Sequence, residues 1–304
     1  MTIPTTTVPC DLDALARRQG GVVTVAQVRD AGITRGQLRG KLRIGEWRPI
    51  RRGVVLIDSD VALRDPYARA NAVALTVADV VVAGATAARA WGLTTVPVRP
   101  IEVVVPPGRG MRPAPDLVPH EWPLQPSDIS RWGRLPVTTP ARSVLDVALS
   151  VDRLDAISLL DEALRKRLLS AADAEALAGR VAGRHGGGHV VDLFVMADGR
   201  AESALESRVR LRCVEAGLEP DFVQLEIRDG SFVARVDMAF RRRDGSLLII
   251  EADGAAVHRD PDALHRDRVR ANRLVALGHR VLRFTWLDTL DPSTARTPSA
   301  PPSE

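Results

Sequence analysis

The feature that most constrains the fold is an apolar run that ends in acidic residues, at 247–254. Its first four residues are all aliphatic and predict a buried central strand. Side chains alternate along a strand, so Glu251 and Asp253 are expected on one face of it. A buried carboxylate is costly unless it is paired or binds a metal. The run therefore predicts a sheet whose edge carries either ion pairs or a cation site.

A second strand is predicted just upstream, and it also contains one acid, Asp237. Every second residue of this strand is apolar: Phe232, Ala234, Val236, Met238 and Phe240. The turn that follows contains Asp-Gly, which favours a hairpin. Pairing of the two strands would bring Asp237 close to Glu251. Two convergent carboxylates suit a hard divalent cation, so we expect a metal site between these strands.

The two strands are flanked by predicted helices. Upstream, residues 202–216 have apolar residues at helical spacing, and Glu206 shares their stripe. Downstream come His258, an arginine-rich helix at 262–277 and a last strand at 280–286.

This combination of elements resembles the endonuclease-like domain related to very-short-patch-repair endonucleases, which has the restriction-endonuclease-like PD-(D/E)xK fold. The resemblance covers residues 202–290. It implies that Asp237 and Glu251 are metal ligands and that Glu206, or alternatively Glu202, is the helix acid. The implied cofactor is Mg²⁺ or Mn²⁺, and the implied activity is metal-assisted hydrolysis of phosphodiesters in double-stranded DNA.

The sequence departs from that fold's pattern at the usual lysine, whose position is taken by Asp253. The chain has two lysines, Lys41 and Lys166, and both lie far upstream. Arginine stays protonated and cannot serve as a base, which leaves His258 or His265. On this hypothesis Asp253 is an extra ligand or orients the water, and His258 acts as acid or base.

The alternative interpretation is that these acids have a structural role. The acids would then form ion pairs with Arg235, Arg266 or Arg270 in an inactive nuclease fold. In the nuclease hypothesis, Arg266 and Arg270 instead hold the flanking phosphate. The competing class of function is thus a non-enzymatic DNA-binding regulator.

The N-terminal segment predicts three short helices and a β-hairpin, which together describe a winged helix-turn-helix. The predicted elements are helices at 11–18, 25–30 and 35–44 and a hairpin at 45–57. Thr24 and Thr34 are the expected N-caps of the second and third helices.

The third helix is predicted to bind DNA. Arg35, Arg39 and Arg43 recur every four residues on one face, and Arg48 follows in the hairpin. Residues 11–52 contain ten Lys or Arg and four Asp or Glu, a local net charge of +6. Such an excess suits phosphate binding, although a solvated basic face or a protein-binding domain are the alternatives.

The order of elements over residues 12–57 resembles the N-terminal domain of AbiEi-type antitoxins, which are winged-helix repressors. The segments ATAARAWGL at 85–93 and TTPARSVLD at 138–146 resemble the second domain of that family. The resemblance implies a toxin protein as a candidate partner.

The chain has 304 residues, a net charge of +4 and two cysteines, so we expect several domains in a reducing cytoplasm. No signal peptide or membrane span is predicted. The predicted fold class is multi-domain α/β, with a restriction-endonuclease-like C-terminal domain built on a central mixed sheet. The predicted segments are a disordered tail (1–10), the winged helix-turn-helix (11–60), a small α/β middle domain (61–150), a helical connector with a Gly-rich joint (151–198), the restriction-endonuclease-like domain (199–290) and a disordered tail (291–304).

Overall fold

The computed structural model describes residues 11–94, 100–254 and 261–290. The chain divides into two compact units, Met1–Val147 and Ala148–Glu304. Helices and β-sheets occur in both, so the chain is a mixed α/β protein with several sheets, as predicted. The finer division into six segments stays a prediction.

Both predicted disordered tails, 1–10 and 291–304, lie outside the described residues. Within the described part of the chain, no helix combines the length and the apolar character that a membrane crossing requires.

The first unit begins with the predicted three helices and hairpin, plus a short extra strand. The strands pair antiparallel in the order β1-β3-β2. The elements are α1 (Leu12–Arg18), β1 (Val22–Thr24), α2 (Val25–Asp30), α3 (Arg35–Arg43), β2 (Arg48–Arg51) and β3 (Val54–Leu56). The extra strand, β1, ties the helices to the hairpin through β3.

Local hydrogen bonds explain where α2 and α3 begin. Thr24 Oγ1 accepts from Gln27 N at 3.1 Å, and Gln27 Oε1 accepts from Thr24 N at 2.8 Å. Thr34 and Gln37 repeat the same reciprocal arrangement at the start of α3. Each capping box satisfies backbone N–H groups that have no partner inside the helix. The two predicted N-caps are therefore confirmed.

One face of α3 packs on the core of this small domain. Leu38 is buried there and Leu42 is half-buried. The buried residues of the cluster are Leu12, Ala16, Val23, Val28, Leu38, Trp47 and Val55. With its apolar side fixed to this core, α3 presents its opposite side to solvent.

The remainder of the first unit is a five-stranded sheet with helices packed on it. Its strand order is β6-β5-β4-β8-β7. The elements are α4 (Pro66–Ala74), β4 (Val81–Val82), α5 (Gly84–Ala90), β5 (Ile101–Val104), β6 (Leu117–His120), β7 (Ile129–Trp132), β8 (Leu135–Thr138) and α6 (Pro140–Ala148). The sequence predicts a small α/β domain here but does not place β6, β7 and β8. Pro119 and Pro136 interrupt two of these strands, and proline normally argues against a strand.

The second unit begins with four helices, which are followed by the strands of a mixed sheet. A further helix lies in the sequence between the last two strands, and another follows the last strand. The sheet order is β12-β11-β10-β9, in which β11 and β12 are parallel and the other pairs are antiparallel. The elements are α7 (Arg153–Arg165), α8 (Ala171–Ala182), α9 (Val191–Met196), α10 (Ala204–Glu215), β9 (Phe222–Asp229), β10 (Phe232–Arg241), β11 (Leu247–Ala252), α11 (Pro261–Ala276), β12 (Arg280–Phe284) and α12 (Trp286–Leu290).

The simple alternation predicted for β10 is wrong, because the strand changes faces in its middle. Val236 packs in the cluster that contains Leu274 of α11, whereas Met238 packs in the cluster that contains Val209 of α10. The register with β9 is interrupted at the same point, where Gln224 has a φ of +55°. The change of face thus coincides with the residues at which β10 and β9 do not pair.

The glycine run, predicted as a joint ahead of residues 199–290, lies within the second unit. Gly187–His189 forms a short 3₁₀ helix in which Gly187 is buried. A Cβ on Gly187 would lie 2.0 Å from the carbonyl oxygen of Val181, so glycine allows a close backbone approach here. The role of the run as a joint stays a prediction.

Candidate functional site

Helix α3 presents a row of exposed arginines. Arg35, Arg39 and Arg43 are all exposed, and none forms an ion pair with a described residue. Their spacing of four residues places them along one side of the helix. The capping boxes and the buried Leu38 fix the orientation of that side. Three free guanidinium groups on one rigid face form a surface suited to phosphates.

Arg29 adds to this surface from α2 and was missed by the sequence analysis. An open groove runs between α2 and α3, and Arg29, Arg35 and Arg39 line it together with apolar residues of both helices. Arg29 is exposed and occupies the last turn of α2. Its place in the last turn of α2, the helix before α3, was the sequence feature that could have identified it.

Arg48, a predicted DNA contact, forms a hydrogen bond within the fold, and its predicted role stays a prediction. Its guanidinium donates a hydrogen bond of 2.8 Å from Nη2 to the carbonyl oxygen of Val61. Lys41 is likewise engaged, because it pairs with Glu46 and lies 4.9 Å from the ring centroid of Trp47. Arg35, Arg39 and Arg43 of α3 have no such contact with a described residue.

In the second unit, the predicted helix acid and the first strand acid come together around one amide. Gln224 Nε2 donates to Glu206 Oε2 at 2.8 Å and lies 3.5 Å from Asp237 Oδ1. Glu206 Oε2 also accepts from the backbone N–H of Glu202 at 2.8 Å. Glu206 is buried at the start of α10, whereas Glu202 is exposed and pairs with Arg235. Glu206, not Glu202, is thus the acid at this site.

Asp237 lies over the end of β11. Its Oδ2 accepts from the backbone N–H of Ala252 at 2.8 Å. Burial raises the pKa of Asp237, and the nearby Glu206 carboxylate raises that pKa further. The hydrogen bond from Ala252 opposes this shift by favouring the ionised form.

Glu251 is neutralised by arginines. Arg270 Nη1 of α11 lies 2.7 Å from Glu251 Oε1, and Arg283 Nη2 of β12 lies 3.4 Å from Glu251 Oε2. The Glu251 side chain is only 9% exposed. Of the three arginines predicted as structural partners of the acids, Arg270 fills that role, whereas the guanidinium of Arg235 pairs with Glu202.

Asp253 belongs to the same ionic network. Its backbone N–H donates to the carbonyl oxygen of Phe284 at 2.7 Å, which continues the pairing of β11 with β12. Its carboxylate lies 3.7 Å from Arg283 Nη1. Arg283 forms shorter contacts with Asp267, at 2.6 and 3.0 Å, and Asp267 raises the pKa of Arg283.

The donor set does not fit a metal centre as it stands. Among the residues that the structure describes, no three histidine, cysteine or acidic side chains converge as ligands would. The oxygens of Glu206 and Asp237 accept N–H groups, and Glu251 faces a guanidinium. The predicted Mg²⁺ or Mn²⁺ cofactor therefore rests on the resemblance alone.

His258 lies outside the described residues, so its predicted catalytic role stays a prediction. Arg266 is exposed on α11. Gln224, by contrast, is central to the site and was not singled out from the sequence, because its contacts join β9 to residues of α10 and β10.

Comparison with known proteins supports the N-terminal part of the resemblance. A family described as "Transcriptional regulator, AbiEi antitoxin" matches residues 11–57, the segment that carries α1 to β3. Two Mycobacterium tuberculosis proteins, "Uncharacterized protein Rv2248" and "Uncharacterized protein MT2308", are each 31% identical to the chain over 198 residues. The alignments cover 65% of this chain and 71% of each relative. The chain therefore belongs to the same family as these Mycobacterium tuberculosis proteins, with an N-terminal segment that matches AbiEi-type transcriptional regulators.

Proposed function

We propose that the chain is a transcriptional regulator that binds double-stranded DNA through α3. The observation that carries this proposal is the row of Arg35, Arg39 and Arg43, exposed and without an ionic partner among the described residues. The family match over the same segment supports it. In helix-turn-helix proteins the second helix of the motif enters the major groove.

The charges of the segment support this placement of α3. Arginine makes bidentate contacts with phosphate, and each phosphate contact releases counterions from DNA. The contribution of Arg29 would extend the contact from α3 to α2 along one strand's phosphates. Arg52, exposed in the turn between β2 and β3, would supply a separate contact from the hairpin.

Binding of the full chain to duplex DNA tests this function. Fluorescence anisotropy would compare wild type with the triple variant Arg35→Gln, Arg39→Gln, Arg43→Gln. We expect the variant to bind at least about tenfold more weakly at moderate salt. The matched control replaces three exposed arginines elsewhere in the first unit: Arg17, Arg64 and Arg89. An equal loss of affinity in both triple variants would overturn the assignment to α3.

A toxin protein is the second proposed partner. It follows from the word antitoxin in the matched family's description, together with the resemblance of the segments at 85–93 and 138–146. Co-purification of the full chain with the product of an adjacent gene tests it.

The competing candidate is a metal-dependent endonuclease in the second unit. The order of elements from α10 to β12, a helix, three strands, a helix and a parallel strand, supports it. The pairing of Glu251 with Arg270 and the presence of Asp253 at the lysine position weigh against it. Nicking of supercoiled plasmid that requires Mg²⁺ or Mn²⁺ and is lost in Asp237→Asn would establish this activity. Plasmid that stays supercoiled under these conditions would rule out this candidate.

A further inference from the structure

We propose that Arg270 takes the place of a divalent cation at Glu251, so that the acidic site of the second unit is closed by a guanidinium. The site in question consists of Glu206, Asp237 and Glu251 around the end of β11. The inference is independent of the DNA-binding proposal, because it concerns the ionic balance of the second unit alone.

The first step is the cost of burying Glu251. Its side chain is only 9% exposed, and an isolated buried carboxylate is strongly unfavourable. Arg270 supplies the compensating charge at 2.7 Å. The contact is ionic rather than a directed hydrogen bond, since Glu251 Oε1 has no hydrogen-bonding partner of good geometry among the described residues. The requirement at this position is therefore positive charge.

The second step is that Arg270 is anchored on both strands that carry the acids. Its Nη2 donates to the carbonyl oxygen of Arg235 on β10 at 2.5 Å, while its Nη1 faces Glu251 on β11. Asp267, one turn earlier on α11, lies 3.8 Å from Arg270 Nη1. A guanidinium held at these points bridges the strands as a bound cation would.

The third step is that guanidinium and metal exclude one another. Mg²⁺ requires oxygen ligands in an octahedral arrangement at about 2.0–2.1 Å. Arg270 Nη1 occupies the approach to Glu251 Oε1, and two cations a few ångströms apart repel strongly where water is scarce. Arg283, 3.4 Å from the other oxygen of Glu251, adds to that repulsion. Removal of Arg270 should therefore open Glu251 to a divalent ion.

Binding of Mn²⁺ to the full chain tests the proposal. Mn²⁺ would be titrated by calorimetry and by electron paramagnetic resonance, and melting temperatures would be measured with and without the ion. The variants are Arg270→Gln, Arg270→Lys and the double variant Arg270→Gln, Glu251→Gln. Arg273→Gln is the matched control, because Arg273 lies on the same helix but pairs with Asp229.

We expect no specific Mn²⁺ binding by wild type, Arg273→Gln or Arg270→Lys, which keeps the charge. Arg270→Gln should bind the ion and gain at least about 3 °C in melting temperature, and the double variant should lose that gain. Specific binding by wild type would overturn the proposal even if Arg270→Gln failed to fold. A folded Arg270→Gln variant that binds no Mn²⁺ would also overturn it.

Discussion

Arg270 on α11 and Glu251 on β11 form an ion pair at the four-stranded sheet of the second unit, with Arg270 Nη1 2.7 Å from Glu251 Oε1. The pair connects the helix that precedes β12 to the strand beside it. In this fold the carboxylate at the end of the central strand therefore has a structural partner within the chain.

Replacement of Arg270 by alanine should destabilise the second unit. Glu251 would keep a buried charge without its main partner, a loss of about 1–3 kcal/mol. The estimate lies below the range for fully buried pairs because the Arg270 side chain is 30% exposed. Urea denaturation measures the loss. Arg268→Ala, an exposed position on the same helix, should change stability by less than about 0.5 kcal/mol. Equal effects of the two substitutions would argue against the pair.

In the first unit, Arg142 should be more sensitive to substitution. Its side chain is 1% exposed and contacts Asp146 at 2.7 Å and Asp128 at 3.0 Å. Arg142→Met removes the shared positive charge and should cost about 3–5 kcal/mol of folding free energy. If Asp128→Asn and Asp146→Asn are added, part of this loss should be recovered, because no buried charge then lacks compensation. A triple variant less stable than Arg142→Met would contradict this explanation.

Gln224 allows backbone strain to be separated from hydrogen bonding. Both Gln224→Gly and Gln224→Ala lose the hydrogen bond to Glu206, but only glycine adopts the φ of +55° without strain. The glycine variant should therefore be more stable than the alanine variant by about 1 kcal/mol. Thermal unfolding of the two purified variants measures this difference. The reverse order would show that the left-handed conformation at Gln224 is not retained.

The contact between Arg153 and Asp192 predicts a pH dependence of stability. Arg153 donates two hydrogen bonds of 2.8 Å to Asp192, and they hold the pKa of Asp192 below its ordinary 3.8. A lowered folded-state pKa contributes stability that is present above the unfolded-state pKa and is lost as pH falls through the folded-state value. The difference in melting temperature between wild type and Asp192→Asn should be constant above about pH 5 and should shrink as pH falls below about 4. A difference that grows on acidification would contradict the assignment.

Local chemistry explains which parts of the fold were predictable from the sequence. Thr24 and Thr34 predict where α2 and α3 begin, because a threonine followed three residues later by glutamine can form a complete capping box. The apolar run at β11 likewise predicted a central strand, which pairs on both sides. These signals lie within a few residues of the feature they specify.

The partnerships at the site were less predictable because they depend on distant elements. The face switch of β10 coincides with the left-handed Gln224 of β9, and glutamine gives no sign of that conformation in the sequence. The sequence limited the partners of the acids to a few arginines, but only the packing of α11 on the sheet selects Arg270 for Glu251. The expected Asp237–Glu251 metal site stays a prediction, and both acids have partners within the chain.

The salt dependence of DNA binding tests the central claim, that α3 is the DNA-binding face, most directly. The logarithm of the affinity of wild type for duplex DNA should fall linearly with the logarithm of salt concentration. The triple variant of Arg35, Arg39 and Arg43 should reduce that slope by about 2–3, since each lost phosphate contact contributes about 0.9. The control variant of Arg17, Arg64 and Arg89 should keep the wild-type slope. An unchanged slope in the α3 variant would contradict the claim.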